Sequence, residues 1–173
     1  IKAKAKLNGI AAEIDMVEPL EDDGPERDRK VQPVLNDKAR EAFVPGLSTL
    51  IDGTIKVSLE QAPGGAQDVS GDPSDATLSI PWVGWSKGPG IPAKVTFSLK
   101  SENGRSTLSD FKLKGESFGI EGDVILSKGS LSEARFEKVV LNRGDDVSVN
   151  VKRSGKGYAV EIDGNEQHAR AMI

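Results

Sequence analysis

A period of two governs this chain. In run after run, apolar residues recur at every second position, and the runs are separated by Gly, Pro, Asn and Asp. Such alternation puts the apolar side chains of a run on one side of an extended strand. The stretch that organises the rest is Asp75 to Leu99, DATLSIPWVGWSKGPGIPAKVTFSL. Ala76, Leu78, Ile80 and Trp82 alternate on its first flank and Val95, Phe97 and Leu99 on its second, so both flanks read as half-buried strands. Between them lie Pro81, Pro89 and Pro92 with Gly84, Gly88 and Gly90, which forbid a continuous ladder and supply positive backbone angles. Residues 81–92 are therefore expected to form a stiff corner, weighted by Trp82 and Trp85, the only tryptophans.

The same rhythm continues on both sides of the corner. Ile1, Ala3, Ala5 and Leu7 alternate with lysines, and after Asn8-Gly9 the pattern resumes at Ile10, Ala12, Ile14 and Met16, a strong hairpin signal. Glu18 to Arg29 reads as a solvated acidic loop, without the ligand spacing of a calcium-binding EF-hand. Lys30 to Leu35 is a short strand, and Asn36 then caps a helix through Phe43 that Pro45-Gly46 stops. Ile55 to Leu59 follows as a strand, and a further short one is expected around Val69. Beyond the corner come Leu108 to Leu113, Phe118 to Leu126, Leu131 to Leu141, Val147 to Val151 and Tyr158 to Ile162. Within Leu131–Leu141 the phase changes, and Val139 shares a side with Ala134 and Phe136 only if one residue bulges.

The expected fold is mainly β: one domain over residues 1–173, a curved antiparallel meander of about ten strands with one short helix near 36–43. Because Ile1 falls inside an alternating pattern without an initiator Met, the chain reads as a piece of something longer. A membrane anchor, if the whole protein has one, is expected outside it, since no run here approaches the about eighteen apolar residues of a spanning helix.

Composition narrows the chemistry. A net charge of −4 with scattered lysines gives no concentrated positive face for nucleic acid. No cysteine and a single histidine, His168, leave little for a thiolate or zinc site, and no metal, cofactor or catalytic residue is expected. Gly115-Glu116-Ser117-Phe118-Gly119 matches the G-x-S-x-G nucleophile pattern, but that serine needs a strand-to-helix turn and a base. Here the residues that follow alternate as a strand. Asp72, Asp75 and the Asp145-Asp146 pair read as turn residues that satisfy backbone donors.

These strands present far more apolar surface than one short helix can cover. Three arrangements would shield it: closure of the sheet on itself as a sandwich or barrel, completion by a partner, or an open groove holding apolar ligand. The residues at issue are Leu78, Ile80, Val95, Phe97, Phe118, Ile120, Val147 and Val149.

The run from Asp75 to Leu99, with LSDFKLKGESFGIEGDVILSKGSLSEARFEKVVLNRGDDVSVNVKRSGKGYAVEIDG after it, resembles the AsmA-like proteins of Gram-negative envelopes, the superfamily that includes YhdP and TamB. The likeness is above all to large alphaproteobacterial members bearing a domain of unknown function. It is strongest from Asp75 to Gly164, and its distinctive part is the Pro81–Gly90 run. The resemblance implies a piece of a long, taco-shaped β-groove in the periplasm, tethered to the inner membrane elsewhere in the full protein. It implies a non-enzymatic role in carrying phospholipid toward the outer membrane and maintaining its barrier, with acyl chains along the eight apolar residues and other segments of the same protein as neighbours. The alternative is a closed β-sandwich that serves as a structural or protein-interaction module without lipid.

Overall fold

The computed structural model describes residues 2–7, 10–17, 28–43, 50–80, 84–128, 130–142 and 144–164. The Asn8-Gly9 turn, the acidic loop to Arg27, Pro45-Gly46, Pro81, Trp82 and the last segment with His168 lie outside the described residues. The first hairpin pairs β1 (Lys2–Leu7) with β2 (Ile10–Val17), and β3 (Asp28–Leu35) runs beside it. Helix α1 (Asp37–Phe43) follows at once. Its start is fixed as expected: the side-chain oxygen of Asn36 accepts the Ala39 amide at 2.9 Å, which satisfies one of the open donors of the first turn.

The chain then makes β4 (Ile51–Asp52), β5 (Ile55–Gln61), β6 (Gln67–Asp72), β7 (Thr77–Ile80) and β8 (Trp85–Lys87). From the corner onward come β9 (Ala93–Glu102), β10 (Arg105–Gly115), β11 (Gly119–Ser127) and β12 (Ser130–Val140). The hairpin of β13 (Val147–Ser154) and β14 (Gly157–Gly164) completes the described strands. The main sheet has 11 strands in the order β1-β2-β3-β5-β6-β9-β10-β11-β12-β13-β14, all antiparallel, and it does not close into a barrel.

The meander has one excursion. Strands β4, β7 and β8 leave the main sheet and form a separate sheet of three, ordered β4-β7-β8. The expected corner is therefore not a simple crossing between two strands of one sheet. Pro and Gly do interrupt the ladder, but Trp85 to Lys87 turns back and pairs with β7 before β9 rejoins beside β6. Leu78 and Ile80 belong to this smaller sheet.

Register keeps one face of the main sheet apolar from strand to strand. Val57, Gly71, Val95, Leu113, Ile120, Val139 and Val147 are successive cross-strand partners from β5 to β13. A parallel row runs Ile14, Val31, Leu59, Val69 and Phe97. Across β10 to β14 it continues as Phe111, Gly122, Phe136, Val149 and Ile162. The bulge expected in β12 lies between Phe136 and Val139, where the pairing with both neighbours shifts. It returns Val139 to the apolar side, because a two-residue period otherwise sends odd and even positions to opposite faces.

The small sheet roofs part of this face. Leu78 packs among Leu113, Phe118, Ile120, Ala134, Val139, Val149 and Val151, with Ile51, Ile80 and Trp85 against the same cluster. Trp85 pins the roof down: its ring lies 5.0 Å from that of Phe118 at 60°, and its indole N–H donates to the Leu141 carbonyl at 3.1 Å. Helix α1 is fastened by charge. Arg40, 4% exposed, donates to the carbonyls of Gly53 (2.7 Å) and Ile51 (2.5 Å) and to the Asp37 carboxylate, so the helix is tied to the β4–β5 turn.

Candidate functional site

The eight apolar residues singled out from the sequence fall into two environments. Leu78, Phe118, Ile120 and Val149 are buried at 5–8% exposure inside the roofed cluster. Ile80, Val95, Phe97 and Val147 are half-buried. Val95, Phe97, Ile120, Val147 and Val149 share the apolar face of the main sheet, whereas Leu78 and Ile80 meet it from the roof. Phe118 sits in the turn between β10 and β11 and folds back over Gly115, where an added Cβ would fall inside its ring.

Beyond the roof the face continues. Phe97, Phe111 and Phe136 form a chain of rings with centroids 6.1 and 6.3 Å apart. Gly122 is the strand partner between Phe111 and Phe136, and the missing side chain there lets the two flanking rings lean together over it. At the β14 edge the face is open to solvent: Tyr158, Val160 and Ile162 are 47%, 41% and 51% exposed. Tyr158 pairs with exposed Arg153, but the partners of Val160 and Ile162, Val151 and Val149, are buried, so the uncovered edge is continuous with the packed interior.

The opposite, polar face carries a feature that sequence reasoning missed. A hollow of about 1070 Å³ spans strands from β1 to β10. One row of its wall contains Ser58 and Ser70; the next contains Lys56 opposite Asp72 and Lys94 opposite Lys114. These positions alternate with Val57, Gly71 and Val95, which fixes them on the face away from the apolar rows. The Ser58 hydroxyl is withdrawn from solvent and makes no hydrogen bond among the described residues. Asp72 is committed locally: it accepts the Ser74 amide at 3.0 Å and the Ser74 hydroxyl, which hold its carboxyl below the ordinary value of 3.8.

Two other sequence features can be placed. Gly115 to Gly119 joins strand to strand, with the Gly115 amide donating to the Phe118 carbonyl at 2.9 Å, so Ser117 sits on an exposed hairpin-type turn with no helix behind it. Asp145 and Asp72 act in turns as expected, Asp145 accepting the amides of Leu141 and Asn142 at 3.2 and 2.7 Å. Among the described residues, no three His, Cys, Asp or Glu side chains gather as a metal ion would require.

The fold and its two faces define an open, largely antiparallel β-sheet protein with a partly roofed apolar side. No protein-family model, curated protein or solved structure matches this chain.

Proposed function

We propose that this chain is a non-enzymatic segment of an envelope lipid-transport protein, whose apolar sheet face carries phospholipid acyl chains between inner and outer membrane. The carrying observation is the unroofed end of that face, where Val160 and Ile162, 41% and 51% exposed, stand in register with buried Val151 and Val149. Leaving such surface in water is unfavourable, and covering it with hydrocarbon recovers about 0.8 kcal/mol for each methylene buried. A chain laid across the strands would touch Phe97, Phe111 and Phe136 and then β14, while its headgroup stays in water. On this reading the protein works in the periplasm, tethered to the inner membrane by a segment outside this chain, and neighbouring segments of the same protein extend the path.

Solvent extraction of the purified protein followed by mass spectrometry tests the reading. Phospholipid should be recovered in a fixed ratio to protein and at lower ratio after Ile162→Lys. Lipid-free protein that also fails to take up a fluorescent fatty acid would remove it.

The second reading, a closed structural or protein-interaction module, draws support from the burial of Leu78, Phe118, Ile120 and Val149. It predicts that no added acyl chain perturbs the protein's spectra and that the β14 edge is covered by protein.

A further inference from the structure

The two open edges of the main sheet carry opposite charge on the same face. Among the described residues, β1 and β14 each pair on one side only. Ala3 lies opposite Ile14, and Val160 and Ile162 lie opposite Val151 and Val149, so these positions share the apolar face. The alternate positions, Lys2, Lys4 and Lys6 on β1 and Ala159, Glu161 and Asp163 on β14, therefore belong to the polar face, and all six are exposed. The neighbouring strands do not cancel the difference. On β2, Asp15 pairs with Lys2 at 3.4 Å and Glu13 faces Lys4, while Lys6 faces Ala11. On β13, Ser148 and Asn150 face Asp163 and Glu161, and Lys152 faces Ala159 but reaches Glu133 of β12 at 3.8 Å. One strand further in on either side, Arg135 faces Asp123 and Lys30 binds Glu60. Three lysines thus meet two carboxylates at one edge, and two carboxylates meet one lysine at the other. Among the described residues, Lys4, Lys6, Glu161 and Asp163 make no ion pair.

The chain already contains the match for these acids. Ala159 to Asp163 reads AVEID, and Ala11 to Asp15 reads AAEID on β2, the strand against which β1 lays its lysines. We infer that the open edge of β14 binds β1 of a second copy of this chain, so that copies add head to tail into a longer sheet. The main sheet has 11 strands, each antiparallel to the next, so its two edge strands run the same way and the new ladder is parallel. With apolar sides kept together, the register that repeats the partners of β2 sets Lys4 beside Glu161, Lys6 beside Asp163 and Lys2 beside Ala159. Like edges are kept apart. β1 against β1 puts lysine opposite lysine in every face-matched register, and β14 against β14 gathers four carboxylates on one face. A strand added at the edge extends the sheet sideways and lays nothing over the apolar side chains of β14, so the inference does not depend on acyl-chain binding. An edge of 6 residues is a small contact, and copies separate on dilution.

Sedimentation equilibrium from dilute solution to about 1 mM protein tests this. The average mass should rise with concentration past that of a dimer, because a head-to-tail contact leaves both outer edges free, and added salt should weaken the rise. Asp163→Lys and Lys6→Glu change exposed residues whose cross-strand neighbours, Ser148 and Ala11, are uncharged. Each should keep the parent's circular dichroism and associate roughly fivefold more weakly. An equimolar mixture of the two should recover association, since each then offers the other the reversed charge. The chain has no cysteine, so Lys2→Cys and Ala159→Cys in separate copies check the register. Oxidation of that mixture should give the mixed disulfide well beyond either like pair. Protein that stays monomeric at the highest concentration, that stops at a dimer, or whose charge variants show no recovery when mixed overturns the inference. A disulfide formed within a monomeric chain that carries both cysteines overturns it too, because the sheet would then have closed on itself.

Discussion

The ammonium of Lys87 lies 2.6 Å from the carbonyl oxygen of Pro73, inside the protein at 2% exposure. Its other two donors reach the carbonyls of Ala76 at 2.7 Å and Ser74 at 3.1 Å, so each of its hydrogens has an acceptor. Burial pushes this ammonium below lysine's ordinary 10.5, and the charges of Asp72 and Asp75 oppose the shift. The residue works as a fastener: one side chain on β8 gathers the turn that leads from β6 into β7 and so sets where the roof leaves the main sheet.

Lys87→Met keeps the length of that side chain and removes its donors. Three inward-facing carbonyls then lose their partner, and stability should fall by about 2–4 kcal/mol. A urea titration reads this directly as a lower midpoint with an unchanged slope. A midpoint that does not move would mean that water serves those carbonyls equally well.

Gly122 makes a sharper case. It stands at the β11–β12 bulge, and a Cβ there would collide with the Arg135 carbonyl and the Phe136 Cα of the next strand. Backbone cannot move aside as a flexible side-chain end can, so Gly122→Ala should cost about 3 kcal/mol or more. Gly64, at φ +73 with nothing within 4 Å of an added Cβ, is the control. Its Ala variant should cost only the left-handed backbone penalty of about 1–2 kcal/mol. Equal losses in the two variants, measured by thermal melting, would contradict the packing argument.

Much of this was legible in the sequence because it follows from local rules. Alternation located the strands, Asn36 announced the helix, and the phase change before Val139 announced a bulge. The small sheet was not legible, since β4 and β7 are separated in the chain by two strands of the main sheet. Nothing in TLSI distinguishes a roof strand from a meander strand. Arg40 and Lys87 escaped notice for a different reason: a charged residue in a polar context reads as solvated, and only the carbonyls folded around these two reveal them as interior. The hollow was hidden likewise, because lysines at alternate positions look like an ordinary wet face until register sets Lys94 against Lys114.

Acid should weaken the fold through two carboxylates. Arg40, with the Gly53 amide, holds Asp37 below 3.8, as Ser74 does for Asp72. Each group is thus more acidic folded than unfolded, and over the acid range the unfolded chain binds more protons. Their contribution is fully present above about pH 4 and is lost as pH falls through the folded values. Urea midpoints should therefore hold steady near neutrality and decline below that point. Asp37→Asn should start lower and decline less steeply; curves for variant and parent that fall in parallel would show that other groups control the acid limb.

The exposed end of the apolar face separates the two functional readings without reference to any particular lipid. Ile162 is 51% exposed and lies opposite buried Val149 on the same face. If β14 is open in solution, Ile162→Lys removes little packing, and the stability derived from thermal melting should stay within about 0.5 kcal/mol of the parent's. Acyl-chain uptake, followed by the fluorescence of a bound fatty acid, should fall at the same time, because a charge now stands where hydrocarbon would lie. If protein covers that edge, the same lysine is forced into an apolar contact. Stability or association should then drop by about 2 kcal/mol or more, with no uptake in the parent to lose. The two quantities move in opposite combinations, so one variant measured both ways decides between an open carrying surface and a closed module.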